Sequence, residues 1–245
     1  MANLENPVAV FGTKLPIQFA LSEALDIVIG YAFGTDGVNP SNEDTYLFAY
    51  RSYDCALLNG GSTVTEGDVF ASVGLNSGIS AAVILKILAL IDEDPLILDL
   101  SQIPDFWLLN STHLKWRPKH TCDEEKLWAA YDALTSLDGV AGAVAGKILH
   151  HRYPTKYPIY DSYIGSAYST SKTWGEICED VKREEDWFIA LEELFESFRL
   201  SLDLATSVPL GRLRLLDILV WSNQIGKRQR CLQLGSALRD NPNAG

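Results

Sequence analysis

The residues best placed to do chemistry lie between Leu137 and Ile164, in LDGVAGAVAGKILHHRYPTKYPIYDSYI. Gly139 and Gly142 stand where the chain must turn sharply, and a glycine lets backbone approach a phosphate closely. The amides that open the following helix lack intrahelical acceptors, so they suit an anionic oxygen. Asp161 follows Gly139 by 22 residues, beyond that helix and a proline-bounded loop. That order sets one carboxylate beside a gripped nucleic-acid backbone, where a fixed carboxylate stabilises developing positive charge and orients a water. Asp before an apolar segment is also a preferred N-cap, and the two roles are compatible.

Other side chains nearby carry weaker signals. His150 and His151 close the second helix, where they suit phosphate binding, proton relay, or pairing with the helix dipole. Tyr160 and Tyr163 flank the aspartate and suit stacking on a flipped base, although their spacing turns one of them to the core. Trp116 lies between Lys115 and Arg117, an aromatic among cations that suits a nucleic-acid strand or anchors a loop. Asp217 sits in the apolar run RLRLLDILVW, so it must be paired or protonated. Arg212 and Arg214 are the candidate partners by helical spacing, and a second active-site carboxylate is the sharper alternative.

The hairpin stretch resembles the core of the helix-hairpin-helix DNA glycosylases. Their pattern is Leu-Pro-Gly-Val-Gly, a helix with a small residue early in it, and a later Val/Leu-Asp-x-x-Val/Ile. Here the register reads Leu137-Asp138-Gly139-Val140-Ala141, then Ala145, then Tyr160-Asp161-Ser162-Tyr163-Ile164. Asp138 replaces the family's proline, and Ala141 replaces its second glycine, with Gly142 one residue on. The resemblance covers about 30 residues. It implies a mainly α fold of two helical lobes with a cleft between them, and a catalytic role for Asp161. It also implies DNA bearing a modified base as partner, gripped near Gly139, Val140, Gly142, Lys147, His150, His151 and Arg152, with Lys115 and Arg117 adding charge. Lyase-type relatives carry a Schiff-base lysine at the register of Ala143. Lys147 lies one helical turn further on the same face, so hydrolysis without strand cleavage is expected, with Lys147 as a lesser candidate. From Val140 to Trp221 the chain also looks like a bacterial family of unassigned function that carries such a hairpin.

Composition sets the outer bounds. The chain has 245 residues, 47% of them apolar, enough for one sizeable core. One domain is expected over 1–240, with the hairpin element at about 124–152, the Asp loop at 153–164, and a disordered tail over 241–245. The apolar run 79–100 is broken by Lys86, Asp92, Glu93, Asp94 and Pro95, so no membrane span is expected and a cytoplasmic location is the default. Cys55, Cys122, Cys178 and Cys231 lie far apart without zinc spacing. Some of these glycosylases hold an iron–sulfur cluster near the C-terminus. Only Cys231 lies there, so no metal or other cofactor is expected. The net charge of −12 opposes general scanning of DNA. It points to a narrow duty, such as removing a modified base from phage DNA. It also keeps open an N-glycosidase of free nucleosides, or a hairpin that only binds DNA or protein.

The elements that must position these residues read mostly as helix. Apolar spacing predicts helices over 17–33, 65–75, 79–91, 123–136, 142–152, 161–168, 173–181, 184–200 and 209–224. Thr65 with Asp68 resembles a capping box, and Ser77 or Ser80 suits the cap of the next helix. A short strand is allowed over 45–51, a loop over 34–44, and fraying from Asp240.

Overall fold

The computed structural model describes residues 7–35, 48–56, 62–75, 78–117, 122–168, 172–202 and 207–241. Among these the chain is mainly α-helical. An antiparallel hairpin opens it: β1 (Val8–Phe11) pairs with β2 (Ile17–Ala20), with Phe11 opposite Ile17. The helix expected over 17–33 is therefore shorter, and α1 runs Leu21–Phe33. Residues 17–20 alternate buried and exposed sides, which is strand periodicity rather than helical. Residues Tyr50–Asp54 wind into a π-helical turn, so the strand allowed over 45–51 does not form in its described part. Residues 45–47, and 36–44 of the expected loop, lie outside the described residues.

α2 (Glu66–Gly74) begins at the Thr65–Asp68 capping box, in which the Thr65 amide donates to Asp68 Oδ2 at 2.8 Å. α3 (Ala81–Glu93) is capped by Ser80, whose hydroxyl accepts from the Val83 amide; Ser77 lies outside the described residues. A short α4 (Ser111–Lys115) precedes α5 (Asp123–Thr135), whose first turn holds three acids that favour the positive end of its dipole. Then come α6 (Gly142–Arg152), α7 (Ser162–Ala167), α8 (Thr173–Arg183), α9 (Glu185–Ser201) and α10 (Arg212–Gln224). No described helix is long and apolar enough to cross a membrane.

The buried apolar residues form one continuous cluster from Ala9 to Cys231, with a small satellite of Tyr53, Ala71 and Ile159. A last helix, α11 (Arg228–Asp240), was not expected. It stays ordered through Asp240 where fraying was anticipated, and 242–245 lie outside the described residues. It packs along α1 at backbone contact. A Cβ on Gly30 would strike the Cys231 carbonyl, and one on Gly235 would strike the Asp26 carbonyl. Gly235→Ala is expected to lose about 1–3 kcal/mol in urea unfolding, because the overlap outweighs the helix propensity that alanine gains. An unchanged midpoint would show that α1 and α11 part without cost.

Candidate active site

α5 and α6 are joined by a tight turn. Gly139 adopts φ +93°, and a Cβ there would meet Val83 of α3. The Val140 amide donates to the Leu137 carbonyl at 3.0 Å, and the Val140 side chain is buried. Helix geometry leaves the Gly142 and Ala143 amides without intrahelical acceptors. The acid at Asp138 does not stand alone at this turn. Lys86 of α3 donates to its carbonyl at 3.0 Å and to its carboxylate at 3.1 Å.

Further along α6 lies a cavity of about 640 Å³. It brings together Lys147 of α6, Asp161 and Tyr163 at the start of α7, and Asp217 of α10. These residues are far apart in sequence and meet only in the fold. Asp161 is the N-cap of α7: its Oδ1 accepts from the Tyr163 amide at 2.9 Å and the Ile164 amide at 3.0 Å. Two amide bonds to one oxygen lock the carboxylate's orientation. Its Oδ2 takes no hydrogen bond from the described residues. Lys147 is buried, and its Nζ donates to the Leu75 carbonyl at 2.7 Å. Burial lowers the Lys147 pKa from the ordinary lysine value, while Asp161 and Asp217 pull it back up.

An aromatic wall completes the cavity. Tyr31 and Phe48 stack with centroids 5.6 Å apart, and Trp221 meets both edge-on at 5.9 and 5.8 Å. Arg214, Asp217, Ile218 and Trp221, on one face of α10, line the cavity together with Ile225 just past its end. Of these residues helical spacing singles out Arg214 as a candidate partner of Asp217. Asp54 and the Tyr31–Phe48 wall carried no local signal.

Arg214 ties these pieces together. Its Nε donates to Asp54 Oδ1 at 2.7 Å and its Nη2 to Asp54 Oδ2 at 2.9 Å. Nη1 donates to Asp217 Oδ2, and Nη2 also donates to the Tyr31 hydroxyl. The guanidinium lies 5.3 Å from the Tyr31 ring centre and 5.1 Å from that of Tyr53. Burial pushes the Asp217 carboxyl up to about 7; Arg214 opposes the rise, while Asp161 and Asp54 add to it. A more apolar cavity, also about 640 Å³, lies beside Arg214 and is lined by Tyr53, His150, His151 and Leu210.

Residues 32–224 match a family of unknown function, DUF6308. The chain belongs to this family. The matched span includes the hairpin and, of the cavity lining, Lys147, Asp161, Arg214 and Asp217, while Tyr31, Ile225 and Lys227 lie outside it. No curated protein and no solved structure matches.

The cavity collects some of the side chains singled out in the sequence and leaves others elsewhere in this DUF6308 protein. His150 is buried with Nδ1 2.6 Å from the Tyr157 carbonyl, and burial lowers its pKa to about 3. His151 Nδ1 lies 2.7 Å from Asp68 Oδ1. Arg152 donates to Asp68 Oδ2 from Nε at 2.9 Å and from Nη2 at 2.7 Å. Burial alone would raise the Asp68 carboxyl, but bonds from His151, the Thr65 amide and Arg152 hold it below the ordinary value. His151 and Arg152 therefore fasten α6 to α2, and His150 ties α6 to the loop that follows it. Lys115 is paired with Glu179 at 2.6 Å and Arg117 with Asp132. Trp116 is exposed under Lys172, and none of these three residues lines the cavity. Tyr163 lines the cavity, while Tyr160 packs on the core against Gly165. Arg212 turns away from Asp217 to Glu185, Glu192 and the Trp107 ring.

The four cysteines form no disulfide with one another. Among the described residues one mixed group, His113, Cys122 and Glu124, brings potential ligand atoms within 4.8 Å of one another. Glu124 already accepts from the Asn110 amide at 2.6 Å and faces His113 Nδ1 at 3.4 Å, which links α4 to α5.

Removing the shared cation strands two buried acids. Arg214→Met is expected to destabilise the fold by about 3–5 kcal/mol in urea, and an intact midpoint would show that the acids are solvated. Asp217 carries a signed pH signature. Its folded pKa lies above the unfolded value, so its stabilisation is complete below the unfolded carboxylate pKa and is lost as pH rises through about 7. The native stability should thus fall relative to Asp217→Asn by about 1.4 kcal/mol per pH unit across that window. Parallel stability curves would refute the shift.

Proposed function

We propose that this DUF6308 protein is a monofunctional N-glycosylase of the helix-hairpin-helix type. It hydrolyses the bond between a base and its sugar, with DNA carrying an unusual base as the preferred substrate. The observation that carries the reading is Asp161. Its carboxylate is fixed by two amides while its second oxygen stays unbonded at a cavity that also holds Lys147, Asp217 and an aromatic wall. A fixed carboxylate at a cavity with an aromatic wall suits a transition state in which the sugar becomes cationic and the base is stacked. The cavity volume falls within the range of about 300–1,000 Å³ usual for small-molecule sites. The glycine turn before α6 and the neutralised Asp138 support a backbone contact at the hairpin, about 8 Å along α6 from Lys147. On this reading the helices form two lobes that flank the cavity.

One observation favours a second reading, an N-glycosidase of free nucleosides or nucleotides. The chain carries net −12, and Lys115, Arg117 and Arg152 are each paired to an acid. A small substrate needs no basic track.

Base release from a panel of normal, damaged and phage-type modified DNAs, and from free nucleosides, tests both readings. Asp161→Asn is expected to slow release by about 10²–10⁴-fold. Its stability should hold, because asparagine caps a helix as well as aspartate, whereas Asp161→Ala loses about 1 kcal/mol. An active Asp161→Asn enzyme would leave Asp161 only its cap. Borohydride is expected to trap no covalent adduct during turnover. Trapping that disappears in Lys147→Met would instead assign Lys147 as a nucleophile and overturn the hydrolytic mechanism.

A further inference from the structure

We infer that Asp217 is the proton donor of this site, and that its substrates carry a base that leaves only after taking up a proton. The inference rests on the glycosylase reading and adds the leaving-group half of that reaction. It begins with a charge count. One guanidinium, Arg214, faces two carboxylates in a buried setting. Asp54 takes the matched fork, Nε to Oδ1 and Nη2 to Oδ2. That geometry completes Asp54 as a carboxylate. Asp217 receives only Nη1, on Oδ2. Its Oδ1 takes no hydrogen bond from the described residues, and the residue lines the cavity beside Asp161. A buried acid without a cation of its own holds its proton.

The surrounding charges agree. From α7 Asp161 disfavours a second negative charge, and from the π turn Asp54 does the same. From α10 itself Arg214 favours the charged form. Lys147 of α6 and Lys227 line the same cavity, and the Tyr31 hydroxyl of α1 shares Arg214. The balance places the Asp217 titration near neutrality, about 7. Two acids in one cavity, one holding a proton and one free to accept, form a donor–acceptor pair.

The step balances as follows. The C–N bond breaks with its electron pair moving to the base, and the Asp217 proton goes to the base. Water adds to C1′ and gives its proton to Asp161. The products are free base and a sugar with a hydroxyl at C1′. Asp217 is left as carboxylate and Asp161 as acid, and exchange with solvent resets both. A base that is already cationic, such as 7-methylguanine, needs no such donor.

The test compares release of uncharged bases and of 7-methylguanine, from oligonucleotides and nucleosides, by the native protein and Asp217→Asn. The variant is expected to slow uncharged-base release about 100-fold or more, and to leave 7-methylguanine release near the native rate. Native release of uncharged base should fall about tenfold per pH unit above about 7. This native profile decides the matter even where the variant fails to fold. Equal losses on both substrates in a folded variant, or a native profile flat from about pH 6 to about pH 9, overturn the donor role and leave the glycosylase reading standing. No release of any base by the native protein would instead remove that reading, and the donor role with it.

Discussion

A single buried cation, the Arg214 guanidinium, holds the site together. Taking a charge out of water costs several kcal/mol, recovered only by well-aligned partners. Arg214 is 3% exposed and finds those partners on separate elements: Asp54 on the π turn, Asp217 on its own helix, and Tyr31 on α1. The flat faces of Tyr31 and Tyr53 take up the rest of its surface. Lysine offers a point charge and no fork, so it does not meet this geometry. With Arg214 committed, the rotation of α10 about its axis is set. Asp217, Ile218 and Trp221 then line the cavity. The π turn at Tyr50–Asp54 fits the same constraint, since a wider turn re-aims a side chain that a regular helix would carry elsewhere.

Much of the helical framework was legible because caps and apolar spacing are local. α6 begins and ends where its glycine and its basic last turn indicated, and Asp161 opens α7. The Thr65–Asp68 box was readable for the same reason. α11 was not, because only Cys231 and Gly235 of it are buried. It is held by glycine contacts between backbones, which leave no trace in hydrophobic periodicity. Residues 17–20 were absorbed into α1 because the apolar pattern runs on without a break.

The site was legible in pieces. Asp161, Lys147 and Asp217 each stood out by type and local setting, but no local pattern joins position 147 to 217. The basic clusters show the same limit: Arg152 reaches Asp68, 84 residues away, and Lys115 reaches Glu179, 64 away. The partner of a charge is a tertiary fact, and a buried one is satisfied before any ligand arrives.

That internal pairing constrains how a polyanion can be recognised. Affinity for a nucleic-acid backbone usually comes from many unpaired cations and falls steeply with salt. Here Lys115, Arg117 and Arg152 are each paired with an acid, the last of them in a buried setting, and the whole chain carries −12. Long-range attraction is therefore weak, and recognition on the glycosylase reading rests on short-range contacts. The hairpin amides and the Tyr31–Phe48–Trp221 wall are of that kind. Stacking and directional hydrogen bonds are far less screened by salt than phosphate contacts. On that reading discrimination lies at the cavity, where the base must fit and ionise correctly, rather than in lingering on any backbone. The two acids that line the cavity, Asp161 and Asp217, belong to the same logic, because with little binding energy spent on phosphates the proposed selectivity falls to the chemistry of the leaving base.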